Sequence, residues 1–199
     1  MNAVAKTQLS VEDYLAIEND ALFKSEFYEG EMFAMAGASH THNFVKHNLE
    51  RAIGNRLEAG PCRAASSDQR VRIERSGLFT YPDIVILCGK PKFSPRDPLA
   101  IINPTAIVEI LSPSTEDYDR GTKFKQCRQI PGFREYILVS QDEAAMERHT
   151  LQPDGSWILT VIEGIGETIE LASVGITIPL AEVYRDIEFP DPAEVNTMN

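Results

Sequence analysis

Residues 105–140 read TAIVEILSPSTEDYDRGTKFKQCRQIPGFREYILVS. Thr105 to Leu111 is apolar between its first residue and its end except at Glu109, and such a run fits a strand covered on both faces. Ser112-Pro113-Ser114 breaks that strand, Asp119 to Ile130 reads as a helix, and Pro131-Gly132 stops the helix before a second strand, Glu135 to Val139. Strand, helix, strand in this order implies a right-handed crossover and therefore a parallel pair. The fold class is accordingly α/β, with an α+β mixed sheet once the flanking segments are added.

Upstream, Leu78 to Leu87 reads as one strand-like run ending in Asp83-Ile84-Val85-Ile86-Leu87, again apolar beyond a single carboxylate. Cys62 to Ala65 and Gln69 to Ile73 are shorter strands, and Gly89 to Pro98 reads as a lysine- and proline-bearing loop. His40 to Leu57 places Val45, Leu49, Ala52, Ile53 and Leu57 at three- and four-residue steps, the mark of a helix with one buried stripe. Glu26 to Ala36 alternates around Gly30 and predicts two strands turning at Glu29-Gly30. Ser10-Val11-Glu12-Asp13 opens a short entry helix with Ser10 as its cap and Tyr14, Leu15 and Ile17 as its apolar face. Downstream, Met146 to Leu151 and Trp157 to Ile162 form a hairpin around Pro153-Asp154-Gly155, Ile169 to Leu171 and Ile176 to Ile178 are shorter strands, and Pro179 to Tyr184 is one helical turn. One domain is expected over residues 1–199, with a core of about 22–140, an acidic β-rich C-terminal extension over 141–189 and a loose tail over 190–199.

The net charge of −11 is unevenly spread. Residues 141–199 hold twelve acidic residues against Arg148 and Arg185, leaving 17 basic and 18 acidic residues for positions 1–140. A near-neutral N-terminal region can carry a basic groove, while the total charge weakens non-specific nucleic-acid binding and attracts divalent cations. Residues 119–134 add Arg120, Lys123, Lys125, Arg128 and Arg134 against Asp119 alone, which suits either a phosphate-tracking face or an ordinary solvated one. There is no apolar leader in residues 1–14 and no run long enough to span a bilayer, so a cytoplasmic protein without membrane segments is expected. Cys62, Cys88 and Cys127 are odd in number and widely spaced, and all three are read as reduced apolar fillers.

Asp83 and Glu109 are the informative anomaly. A lone buried carboxylate costs several kcal/mol unless a cation or donor meets it. Two such groups from neighbouring strands converge on a hard cation, and oxygen-only ligation favours magnesium, manganese or calcium over zinc. No Gly-x-Ser-x-Gly elbow accompanies Ser112 and Ser114, and Gly164-x-Gly166 lacks the rest of a phosphate-binding loop. His40 and His42 lie at the start of a helix, where an imidazole can touch a phosphate, but are read as capping or surface residues, and Trp157 is read as a contributor to the core or to a homodimer surface.

Tyr81-Pro82-Asp83, then Glu109-Ile110-Leu111-Ser112-Pro113-Ser114, and then Asp119-Arg120-Gly121-Thr122-Lys123-Phe124 resemble the PD-(D/E)xK nuclease superfamily, and more closely its Uma-two family of restriction-endonuclease-like proteins. The likeness runs over roughly residues 10 to 185 and includes Ala34-Met35-Ala36-Gly37-Ala38-Ser39 and Ser66-Ser67-Asp68. It implies a restriction-endonuclease-like core with flanking helices and a C-terminal β extension. It also implies a Mg2+-dependent endonuclease, with Mn2+ as a substitute, acting on the phosphodiester bonds of DNA, commonly as a homodimer.

Leu111 stands where the superfamily's lysine would be, and the resemblance moves that lysine to Lys123. On a helical wheel Lys123 lies roughly 70 degrees from the buried face set by Phe124 and Cys127, and Lys125 roughly 130 degrees away. The implied catalytic set is therefore Asp83, Glu109 and Lys123, with the metal held by Asp83, Glu109 and the backbone carbonyl of Ile110. Glu26 is the candidate for a further ligand or supporting acid, with Glu29 and Glu31 as its local competitors. The alternative is a catalytically inactive nuclease-fold domain that binds nucleic acid or serves protein assembly.

Overall fold

The computed structural model describes residues 8–35 and 37–189. In chain order these form α1 (Val11–Asp20), β1 (Ser25–Tyr28), β2 (Glu31–Ala34), α2 (His40–Leu57), β3 (Cys62–Ser66), β4 (Val71–Ile73), β5 (Leu78–Thr80), β6 (Ile84–Cys88), β7 (Phe93–Ser94), β8 (Asp97–Ile101) and β9 (Ala106–Ile110). There follow α3 (Glu116–Tyr118), a π-turn (Asp119–Lys123), α4 (Phe124–Cys127), β10 (Glu135–Val139), β11 (Ala145–Leu151), β12 (Trp157–Glu163), β13 (Thr168–Leu171), β14 (Ile176–Pro179) and α5 (Leu180–Val183). The predicted tail over 190–199 lies outside the described residues.

The decisive crossover forms as its residues require. β9 and β10 are parallel, with Ala106 opposite Glu135 and Ile110 opposite Val139, and residues 116–127 bridge them. These strands sit at the centre of a six-stranded mixed sheet in the order β12-β11-β10-β9-β6-β3. A second six-stranded sheet has the order β2-β1-β5-β4-β8-β7, and β13 and β14 pair separately. Alternation along β9 sends Ala106, Val108 and Ile110 into one buried cluster, with α2, β13, β14 and α5. Ile107 and Leu111 enter another, with Val71, Ile73, Leu78, Phe124 and Cys127. Glu109 shares the parity of the second set, so it points toward the helical segment and the other sheet.

Local chemistry sets the ends of the elements. Ser10 and Asp13 form a reciprocal capping box at α1, satisfying two of the orphan donors of its first turn. The β1–β2 hairpin turns through Glu29 (φ 50°) and Gly30 (φ 83°), the doubly positive pair of a primed turn whose twist matches the strands. In α1, Tyr14 is buried but Ile17 is 47% exposed. The face toward the sheet is completed instead by Glu18, whose carboxylate accepts from the Ser25 amide and the Tyr81 hydroxyl.

Three expectations are corrected. The run Leu78 to Leu87 is two strands in different sheets, because Tyr81-Pro82-Asp83 carries the chain from one sheet to the other. The loop Gly89 to Pro98 contains β7 and the start of β8; Pro98 argues against a strand, yet the buried ion pair between Asp97 and Arg70, at 2.6 Å, anchors it. Cys62 and Cys88 are not reduced fillers: they face each other across the antiparallel β3–β6 pair and are joined by a disulfide. Cys127 alone is a free, buried thiol.

The C-terminal stretch is built into the core, since Ile169, Leu171, Ile178, Leu180 and Val183 pack with Val45, Ile84 and Val108. Glu135, wholly buried, ties it to β10 by accepting from the Ala172 and Ser173 amides, each at 3.0 Å. Glu135→Gln places an amide N–H₂ against donors and weakens charge-assisted bonds, so urea denaturation should show a loss of about 2 kcal/mol. An unchanged midpoint would refute this role for Glu135.

Candidate active site

Four elements deliver side chains to one point between the two sheets: β1 brings Glu26, the entry to β6 brings Asp83, β9 brings Glu109, and the π-turn brings Asp119 and Lys123. Lys123 Nζ lies 2.8 Å from Glu109 Oε1 and 3.3 Å from both Glu26 Oε1 and Asp119 Oδ1. The Asp83 amide donates to Glu109 Oε2 at 3.2 Å, and the Ile110 amide donates to Asp83 Oδ2 at 2.9 Å. The three residues expected to form the centre are therefore in one connected network. Lys125 is exposed, as the wheel placed it.

Ile110 presents its backbone here rather than its buried side chain. Because N–H and C=O of one strand residue face the same side, the amide bond to Asp83 puts the Ile110 carbonyl on the Asp83 side as well. Glu26 is the acid of its segment that reaches the centre. Its carboxylate also accepts from Thr80 Oγ1 and, at 2.7 Å, from the Tyr118 hydroxyl. Glu29 and Glu31 sit instead at the turn of the β1–β2 hairpin.

Two residues join that were not singled out for the site. His42 is buried and its Nε2 lies 3.2 Å from Asp83 Oδ2, so its reading as a capping or surface residue is corrected. The signal was present: His42 is three residues before Val45 and seven before Leu49, on the same helical stripe. Asp119 precedes Lys123 by four, the spacing at which side chains on a helix meet.

Charge balance governs the site. Burial pulls Lys123 toward the neutral amine, but Glu109, Glu26 and Asp119 overcome it and hold its pKa well above the usual lysine value. Burial pushes Glu109 well up, and the charges of Asp119 and Asp83 add to this against the pull of Lys123. Burial likewise raises Asp119. Glu26 and Asp83 resist burial and stay low, Glu26 through Lys123, Thr80 and Tyr118, and Asp83 through His42 and the Ile110 amide. One ammonium thus serves several carboxylates, and we take Lys123 as charged, with Glu109 the carboxylate nearest to protonation.

The donor set suits a hard cation. Glu109 Oε1 is buried and without a hydrogen bond, meeting the Lys123 ammonium as an ion pair, and four carboxylates (Glu26, Asp83, Glu109 and Asp119) share this one ammonium and His42. Among the described residues no group of three or more His, Cys, Asp or Glu side chains is placed to hold a metal ion. Mg2+ commonly takes one or two carboxylates and keeps several waters, so Asp83, Glu109 and a carbonyl fit it in kind.

A family model described as "Putative restriction endonuclease", Uma2, matches residues 11–181. The chain belongs to the Uma2 family. Two uncharacterized proteins of Synechocystis sp. are similar along nearly their whole length. One is 32% identical over 185 residues, covering 92% of this chain and 94% of that protein. The other is 35% identical over 177 residues, covering 88% and 100%. The fold matches a crystal structure titled as a putative nuclease belonging to DUF820 from Anabaena variabilis. Its TM-score is 0.73 at 15% identity, over 88% of this chain and 97% of that one. The Uma2 chain therefore has a nuclease-like mixed α+β fold, and no helix among its described residues is long and apolar enough to cross a membrane.

Removing the shared cation should expose the charge surplus. Lys123→Met, studied in chelator, is expected to lose about 3–5 kcal/mol at neutral pH, the usual cost of orphaning a buried charge. The orphaned carboxylates then have folded pKa values above their unfolded ones, so their penalty is present above the unfolded pKa and shrinks as pH falls. Denaturation at pH 7 and pH 5 should show the deficit narrowing in acid; a pH-independent deficit would contradict the charge argument.

Proposed function

We propose that this Uma2 protein is a divalent-metal-dependent endonuclease hydrolysing phosphodiester bonds of DNA, with Asp83, Glu109 and Lys123 as its catalytic residues. The observation that carries the reading is the meeting of these three groups, 26 and 14 positions apart in the chain, in one network around Glu109. Asp83, Glu109 and the Ile110 carbonyl would hold Mg2+, or Mn2+ in its place. When bound, that ion supplies phosphate polarisation and a lowered pKa for coordinated water.

The chain's own residues do the rest. The Ile110 amide and His42 fix the orientation of Asp83, leaving its carboxylate the most exposed acid of the centre, at 17%. Lys123, kept charged by its neighbours, places its positive charge beside the attacking water or the charge developing on phosphate. Glu26 and Asp119 hold that ammonium in place from two sides, and Tyr118 and Thr80 hold Glu26. Beside Asp83, the register of β3 on β6 brings Ser67 alongside, where Lys46 Nζ donates to Ser67 Oγ and Lys24 Nζ to its carbonyl. Lys24 is also paired with Asp68 at 2.7 Å and Lys46 lies 4.0 Å from Glu50, so the positive charge these two lysines offer a DNA phosphate at the rim is partly offset. On the helical segment Arg120 is engaged by Glu116 and Glu147, which leaves Lys125, Arg128 and Arg134 exposed.

Plasmid, duplex and single-stranded DNA incubated with Mg2+ or Mn2+ should be cut, and Asp83→Asn, Glu109→Gln and Lys123→Met should each slow cutting by about 10²–10³-fold or more. Uncut DNA, or equal cutting by wild type and variants, would sink the proposal. The enclosure of Glu109 and Lys123, 3% and 4% exposed, favours a second reading, a non-catalytic domain for nucleic-acid binding or assembly. Calorimetry separates the two: Mg2+ binding abolished by Glu109→Gln supports the nuclease, and absence of carboxylate-dependent binding supports the other.

A further inference from the structure

β12 ends the central sheet, and among the described residues no strand or backbone group bonds to its outer side. Two bonds fix the phase of its pairing with β11: the Gln152 amide donates to the Ser156 carbonyl and the Gly164 amide to the Ala144 carbonyl, both at 2.8 Å. In an antiparallel ladder these alternate, so Ile158, Thr160 and Ile162 address β11. Trp157, Leu159, Val161 and Glu163 therefore turn their N–H and C=O groups outward.

Edge strands are normally blunted by lysine, proline or a bulge. β12 has none of these. Its seven pairs with β11, from Trp157 opposite Leu151 to Glu163 opposite Ala145, run without a register shift. Its sole charge is Glu163, at one end. Ile158, Leu159 and Val161 are 51%, 49% and 51% exposed, and since Ile158 and Leu159 point to opposite faces, both faces of the edge are apolar.

We propose that β12 is a dimerisation edge, joining two copies of this chain antiparallel about a twofold axis at Thr160. An isologous contact must be self-complementary, and this register is. Leu159 opposes the partner's Val161 and Trp157 the partner's Glu163, as hydrogen-bonded pairs that satisfy every outward group of the strand. Ile158 opposes the partner's Ile162 and Thr160 the partner's Thr160 as the pairs between them. No like charges oppose, and apolar and Thr–Thr cross-strand pairs stabilise.

The surroundings are complementary as well. Near the Trp157 end lie Arg134, whose carbonyl accepts from the Leu151 amide, and Arg128, stacked on the Phe124 ring that meets Trp157 edge-on. Near the other end lie Glu163 and Glu143, the latter two residues before Ala145. Antiparallel pairing sets the acidic end of one copy against the basic end of the other and joins the two central sheets into one of twelve strands.

Sedimentation of the full chain should give about twice the 22.2 kDa monomer mass. Leu159→Pro removes only an outward N–H, and Val161→Lys adds an edge charge; both should yield monomers with unchanged far-UV circular dichroism. Thr160→Cys should form a covalent dimer on oxidation, because a non-hydrogen-bonded antiparallel pair sits about 4.5 Å apart at Cα, within disulfide reach. Leu159→Cys, which opposes Val161 rather than itself, should not cross-link. A monomeric wild type, a dimer that survives both edge variants, or a dimer in which Thr160→Cys fails to cross-link overturns the proposal. None of these outcomes bears on metal binding at Asp83 and Glu109, which is read separately by calorimetry.

Discussion

The Lys123 ammonium is the point on which the arrangement depends. Glu109 reaches it from the central sheet, Glu26 from the second sheet, and Asp119 from the helical segment that connects β9 to β10. Each of these groups alone would carry a heavy desolvation cost. Together they make the junction between two sheets a place where charge is tolerated, and they oblige the π-turn to present Lys123 inward. The wider turn of Asp119–Lys123 occurs where both of its charged ends must point into the site, in keeping with the habit of π-bulges to mark functional positions.

Much of this was legible in the chain. The parallel β9–β10 pair follows from two apolar runs and a helix between them. α2 spans His40–Leu57 because its stripe is unbroken, and the β1–β2 turn follows from Glu29-Gly30. Lys123 came from the resemblance, and the wheel set Lys125 apart from it, since Phe124 and Cys127 are buried on one face and Lys125 is exposed. Within the site, Asp83 and Glu109 stood out because a carboxylate in an apolar run needs a reason.

What was not legible depends on contacts between distant residues. Whether Tyr81-Pro82-Asp83 continues a strand or carries the chain between sheets is settled by the Glu18, Tyr81 and Arg70 network, in which Arg70 Nε donates to the Tyr81 hydroxyl at 2.6 Å. The pairing of Cys62 with Cys88 depends on the β3–β6 register, which spacing alone does not encode. His42 was missed for a different reason. Its helical position was read correctly, but a histidine near a cap was weighed as a local feature rather than as a member of the stripe it continues.

The charge balance also bears on why the inward lysine of this chain sits on the helical segment and not at Leu111. At Leu111 a lysine would lie two residues beyond Glu109 on the same face of β9, where the apolar cluster of Val85, Leu138 and Phe124 now packs. A lysine arriving from the π-turn leaves that cluster intact and brings Asp119 with it. The additional carboxylate makes the ammonium more firmly charged and Glu109 less easily ionised. A lysine on the helical segment thus preserves the packing between the sheets, while the carboxylate that comes with it shares the ammonium and raises the cost of ionising Glu109.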